Sequence, residues 1–148
     1  MEINRSAPVT AAGEKFIEAE PEVVFSVISA IDDWPSWSTD VKSVSLEGAI
    51  EPGTVFRWKA GSASLTSTLQ VVDAPREIGW TGKAMGIKAV HAFYFEPKDG
   101  GTFARSEESW EGLIAALLKG YSRRTLEKGI KAILSDLKTE AERRAAAA

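Results

Sequence analysis

The sequence predicts an α+β fold: a curved antiparallel β-sheet wrapped around one long C-terminal helix, with two short helices after the first strand. Three observations carry this expectation. Residues 41–112 alternate apolar and polar side chains with period two, broken by turn-forming residues. From Gly112 onward the apolar residues recur at helical spacing instead. Between the first strand and the alternating region stands a short, strongly apolar run introduced by Glu20-Pro21-Glu22.

Taken in order, residues 1–13 mix Ser, Pro, Thr, Ala and Gly without periodicity and read as a loose leader. Residues 14–20 alternate around Phe16 and Ile17 and read as the first strand. Pro21 suits a first helical turn, where its missing N–H has no partner to lose, and Val23, Val24, Phe25, Val27 and Ile28 supply the helix that follows. Asp32-Asp33-Trp34-Pro35-Ser36-Trp37-Ser38 breaks the chain into turns, and Trp34 is assigned to fixing the short helices. Six strands are expected at 41–46, 55–60, 64–72, 77–83, 87–96 and 102–111, joined by short Gly-, Pro- and Asp-bearing turns, which makes an antiparallel meander.

The last segment carries two apolar stripes. Ile114, Leu117, Leu118 and Tyr121 share one face, and Leu126, Ile130, Ile133, Leu137 and Ala141 share another. A straight helix buries only one of them on a sheet, so a break is expected near Gly120. Residues 145–148 read as a frayed tail.

Composition bounds the function. The 148 residues suit one domain spanning 1–148. There are no cysteines, which excludes disulfides, cysteine-ligated zinc and a thiol nucleophile. One histidine, His91, is too few for a multi-histidine metal site, so neither metal nor cofactor is expected. A net charge of -3 argues against nucleic acid or an anionic membrane as partner, and the basic residues Lys119, Arg123, Arg124, Lys128 and Lys131 read as a solvated helix face. No segment has the apolar run of a signal peptide or a membrane span, so a cytoplasmic protein without membrane insertion is expected, as a monomer or homodimer.

Strand parity places the candidate site. With Phe95 inward, Phe93 and His91 face the same way, and across the 98–101 hairpin so do Thr102, Ala104, Ser106, Glu108 and Trp110. Phe56 goes with Trp58, Ile78 with Trp80, and Leu65 with Ser67 and Leu69. This inner face is aromatic, yet Ser67, Gly82, Ala104 and Ser106 leave room in it, and His91 and Glu108 need partners there. A ligand cavity between sheet and helix reconciles these features. A slip of one residue would instead send Glu108 to solvent and bring Glu107 and Arg105 inward.

The order of elements, with Ala19-Glu20-Pro21-Glu22-Val23-Val24-Phe25, Asp33-Trp34-Pro35-Ser36-Trp37, Gly53-Thr54-Val55-Phe56-Arg57-Trp58, Asp73-Ala74-Pro75-Arg76-Glu77-Ile78-Gly79-Trp80 and His91-Ala92-Phe93-Tyr94-Phe95-Glu96-Pro97, resembles the helix-grip fold of the START, birch-pollen-allergen and polyketide cyclase superfamily (SRPBCC). Gly100-Gly101-Thr102, Glu108 to Gly112 and the closing Leu137-Lys138-Thr139-Glu140-Ala141-Glu142 continue the match, which spans about residues 14–143. It looks most like the polyketide cyclase/dehydrase branch, whose members include aromatase/cyclases, lipid and hormone binders and chaperone activators. Fold alone does not choose among these.

The candidate catalytic pair is His91 with Glu108, one imidazole and one carboxylate on neighbouring strands, suited to acid/base chemistry. The candidate ligand-binding set is Trp37, Phe56, Trp58, Ser67, Leu69, Trp80, Phe93, Ser106 and Trp110, with Leu117 and Tyr121 closing the mouth. For each aromatic residue the competing reading is plain core packing, and for His91 it is a structural histidine bonded to Glu108 or backbone. Three functions follow: a binder of a small hydrophobic, aromatic, polycyclic or lipid-like molecule; an acid/base cyclase or dehydratase using His91 and Glu108; or a protein-interaction module with a filled core and an exposed apolar patch. The first is favoured because it needs only the cavity.

Overall fold

A computed structural model describes residues 1–148. Seven strands form one antiparallel sheet in the order β1-β7-β6-β5-β4-β3-β2. They are β1 (Val9–Ile17), β2 (Val41–Leu46), β3 (Val55–Ala60), β4 (Ala63–Asp73), β5 (Glu77–Ala84), β6 (Ile87–Lys98) and β7 (Gly101–Glu111). The helices are α1 (Pro21–Ser29), α2 (Trp34–Trp37), α3 (Leu113–Leu117) and α4 (Lys119–Ala147), with a 3-10 turn at Ile31–Asp33. This is the helix-grip architecture the sequence predicts.

The first strand starts earlier than expected. Residues 9–13, read as loose leader, belong to β1, whose partner all along its length is β7. The sequence hides this strand because two of its three inward positions over 9–13, Ala11 and Gly13, are small. Packing of α4 imposes that smallness: a Cβ on Gly13 would lie 2.8 Å from Ile130 Cγ2 and 3.1 Å from Leu134 Cδ1. Ahead of β1 the chain crosses the outer face of the sheet. Ile3 is buried, the Asn4 N–H donates to Ser109 Oγ, and Arg5 meets Glu107.

Tight hairpins fix the register of the meander. The β6–β7 turn is Asp99-Gly100 and the β5–β6 turn is Met85-Gly86, each with both residues at positive φ. Asp-Gly is a favoured pair for such a turn. Methionine is not, since its side chain gains nothing locally from the left-handed conformation.

The α4 helix packs chiefly on β1, with Leu126, Ile130, Leu134, Leu137 and Ala141 buried. Ile133, expected in this stripe, is only partly buried, and Leu134 takes its place in the core. The expected fray at 145–148 is shorter than predicted: the helix runs through Ala147, with Ala145 packed against the core. Under the other end of the sheet, α1 buries Val24, Val27 and Ile28, and Phe25 meets Phe95 edge-on at 6.4 Å.

The break in the C-terminal helical region falls at Leu118, two residues before Gly120. The stripe preceding it does not turn inward. Ile114, Leu117, Leu118 and Tyr121, predicted to share a packed face, are all exposed. Gly112 directs this outcome: its φ is 119°, and a Cβ there would sit 2.3 Å from the Gly86 carbonyl oxygen. Only glycine permits that close corner, which points the short α3 away from the cavity. No helix is long and apolar enough to cross a membrane.

Candidate binding cavity

Pairing across the sheet assembles the site. Leu69, Trp80, His91, Glu108 and Ala11 form one row through five adjacent strands. Next to it run Phe56, Ser67, Gly82, Ala89, Trp110 and Val9. Small residues in the second row leave space that Trp58, Trp80 and Trp110 surround. The result is a pocket of about 230 Å³ between the sheet and the first half of α4.

Of the predicted residues, Trp58, Ser67, Trp80, His91, Phe93, Glu108 and Trp110 line this pocket. Phe56 and Leu69 face inward but are fully buried in the packed core below it. Ser106 is buried behind His91, and Trp37 is half-buried against the core, outside the lining. Leu117 and Tyr121 correct the expectation of a closed mouth: they are exposed and stand away from the lining, because α3 points outward.

Among the lining residues outside the predicted set, three groups shape the site. Trp34 does fix the short helices, donating its indole N–H to the Ile28 carbonyl at 2.9 Å. Its ring also lines the pocket and centres the aromatic cluster, 5.6 Å from Phe56, 5.3 Å from Trp58 and 5.3 Å from Trp80. Thr125, Gly129 and Ile133 form a second stripe on α4, each four residues from the next, beside the core stripe. Their spacing was legible, but a stripe of mixed polarity carries no burial signal. Ala60, Ala63 and Asp40 border the pocket from β2–β4, where α4 leaves the sheet uncovered.

Inside, the polar groups form one chain. His91 Nδ1 lies 3.1 Å from Glu108 Oε1, and His91 Nε2 lies 2.8 Å from Ser106 Oγ. The Trp110 indole N–H donates to Glu108 Oε2 at 2.6 Å. Burial lowers the His91 pKa below its ordinary 6.5, outweighing the opposing pull of the Glu108 charge. The imidazole is therefore neutral at pH 7. Its partners assign the tautomer: Nδ1–H donates to Glu108, and Nε2 accepts from the Ser106 hydroxyl. Trp58 likewise donates to Ser67 Oγ at 3.0 Å.

The alternative parity does not occur. Glu107 and Arg105 lie on the outer face, where Arg105 Nη2 meets Glu107 Oε1 at 2.8 Å and Arg5 Nη2 meets Oε2 at 3.2 Å. Glu108 is thus the inward carboxylate. Each of its oxygens takes one protein donor and keeps a lone pair, while the pocket lining contains no lysine or arginine. Such an arrangement can hold an apolar ring among indoles and accept a hydrogen bond from it. No group of His, Cys, Asp and Glu side chains is placed to hold a metal ion.

Comparison with known proteins agrees with this architecture. The family described as polyketide cyclase / dehydrase and lipid transport matches residues 8–142. No curated protein matches the chain. Among solved structures, hypothetical protein jhp0584 from Helicobacter pylori superposes with a TM-score of 0.83 at 15% identity, over 94% of this chain and 91% of that one. The Zhui aromatase/cyclase from Streptomyces sp. R1128 gives 0.75 at 17% identity, over 91% and 94%. Ara h 8.0201 gives 0.74 at 17% identity, over 89% and 96%. At such identities the likeness establishes the fold.

Proposed function

The chain belongs to the polyketide cyclase / dehydrase and lipid transport family, and from that premise we propose that it binds a small, largely apolar ring compound carrying a hydrogen-bond donor. The observation that carries this reading is the His91–Glu108 pair set within an indole-lined pocket. An apolar cavity of ~150 Å³ takes up benzene. The 230 Å³ here suits a ring system of about two fused rings, with longer substituents leaving through the mouth beside Gly129. Glu108 would accept from a ligand hydroxyl or amine, fixing its orientation.

Native mass spectrometry of the purified protein, with tryptophan fluorescence titration by 2-naphthol and naphthalene, tests this. Binding of 2-naphthol in preference to naphthalene supports it. Failure of both, together with an empty protein, removes the binding reading.

A second reading, acid/base cyclisation or dehydration, is favoured by the placement of Glu108 and His91 in the same pocket. Both ring nitrogens of His91 are already engaged, so Glu108 would take the proton and His91 would position it. Once a substrate is identified, unchanged turnover in Glu108→Gln discards this reading.

A further inference from the structure

Seven large hydrophobic side chains are exposed in the whole molecule, and six of them lie at one end. They are Leu113, Ile114, Leu117, Leu118 and Tyr121 at the α3–α4 corner and Met85 at the neighbouring hairpin tip. Met85, Leu113 and Leu117 are each more than 70% exposed. The two segments are held together, since the Gly86 carbonyl presses on Gly112 and a Cβ on Gly86 would lie 3.9 Å from Ile114 Cδ1. The patch belongs to neither the core nor the pocket.

Cations surround it. Lys83 and Lys88 face each other across the Met85 hairpin, and Lys119, Arg123 and Arg124 follow along α4. All five are exposed, and none joins an ion pair, although eleven ion pairs occur elsewhere in the molecule. From Gly112 to Arg124 there is no acidic residue; Glu111 and Glu127 flank the region. A chain of net charge -3 therefore gathers positive charge around its one large apolar surface.

We propose that this end docks peripherally on an anionic lipid surface, with α3 and Met85 entering the interface and the five cations meeting the headgroups. Charge complementarity selects the lipid: apolar side chains framed by Lys and Arg are the pattern that holds protein segments at the boundary of anionic bilayers. A second copy fits worse, because a two-fold contact through this patch brings like charges together. The shape argues the same way. Leu113, Leu117 and Leu118 stand exposed around a short helix anchored by the buried Ala115, which a soft interface accepts without a matching groove. The hairpin adds weight, since Met85 occupies a left-handed position that favours Asn, Asp or Gly and presents its side chain outward. The net negative charge, which at first argues against a membrane partner, does not describe this face.

The test is sedimentation with vesicles of phosphatidylcholine alone and of phosphatidylcholine with about a third phosphatidylglycerol. Wild type should partition to the anionic vesicles and leave them in about 0.5 M salt, where screening is short-ranged. Leu113→Ser with Leu117→Ser, and separately Arg123→Glu with Arg124→Glu, should each weaken binding by at least roughly tenfold. The charge pair is exposed and removes no apolar side chain, and a retained melting temperature shows that both variants fold. No binding to anionic vesicles, equal binding to both vesicle types, or wild-type binding in both variants would overturn the proposal. So would light scattering that shows a dimer which Leu117→Ser converts to monomer.

Discussion

His91 on β6 and Glu108 on β7 are direct cross-strand partners, and their side chains meet on the inner face with Nδ1 3.1 Å from Oε1. The contact is buried on all sides but the pocket. Removing one partner leaves the other without its hydrogen bond in an apolar setting, which costs about 1–3 kcal/mol. Glu108→Leu should therefore lower stability by that amount in urea denaturation. Glu108→Gln, which keeps an acceptor oxygen, should cost less and should erase the preference for 2-naphthol over naphthalene.

Acid should weaken the fold through His91. Its folded pKa lies below 6.5, so the unfolded chain binds the proton first as pH falls. Stability is then full above about 6.5 and declines between that value and the lowered folded one, where the unfolded state holds more protons. The urea midpoint of wild type should fall from neutral pH into this window. In His91→Gln this component of the slope should vanish.

Gly129 separates pocket occupancy from stability. Nothing lies within 4 Å of the place where its Cβ would stand, and this exposed residue lines the pocket. Gly129→Ala should raise stability by roughly 0.5–1 kcal/mol, the usual helical gain over glycine. Gly129→Trp should block the mouth, and fluorescence titration should show ligand binding lost while the melting temperature holds.

The sequence predicts Trp37 as a pocket residue, but its indole nitrogen is buried without any hydrogen-bond partner. A buried donor left unpaired is a cost that phenylalanine does not carry. Trp37→Phe should be neutral or stabilising in thermal denaturation and should leave ligand affinity unchanged. By contrast, Trp34→Phe removes a donor that is used, and it should destabilise.

The parts of the site carried by the hairpins were readable, because Asp99-Gly100 sets the register of β6 against β7 and period two then places His91, Ser106 and Glu108 on one face. The depth of each residue was not. Phe56 and Trp58 share a face, yet one is sealed in the core and the other lines the pocket, and that difference depends on where α1, α2 and α4 sit above them. The start of β1 was hidden by small residues whose size answers to a distant helix. The direction of α3 was hidden too, since it turns on the positive φ of Gly112, which an apolar stripe cannot reveal.

The attachments of α4 are unevenly distributed. Every side-chain hydrogen bond from this helix to the rest of the protein comes from Asp136 onward. Asp136 accepts from Thr39, Lys138 donates to the Phe16 carbonyl, Glu142 accepts from the Glu18 N–H, and Arg144 reaches Asp33. Ahead of Ile130 the helix rests on Leu126 and Ser122 alone among buried residues. It is a cantilever, clamped at its far end and free where it borders the pocket. Amide hydrogen exchange should be fastest in 119–129 and slow beyond Leu134, so a guest can be admitted by flexing one helical arm while the sheet stays still.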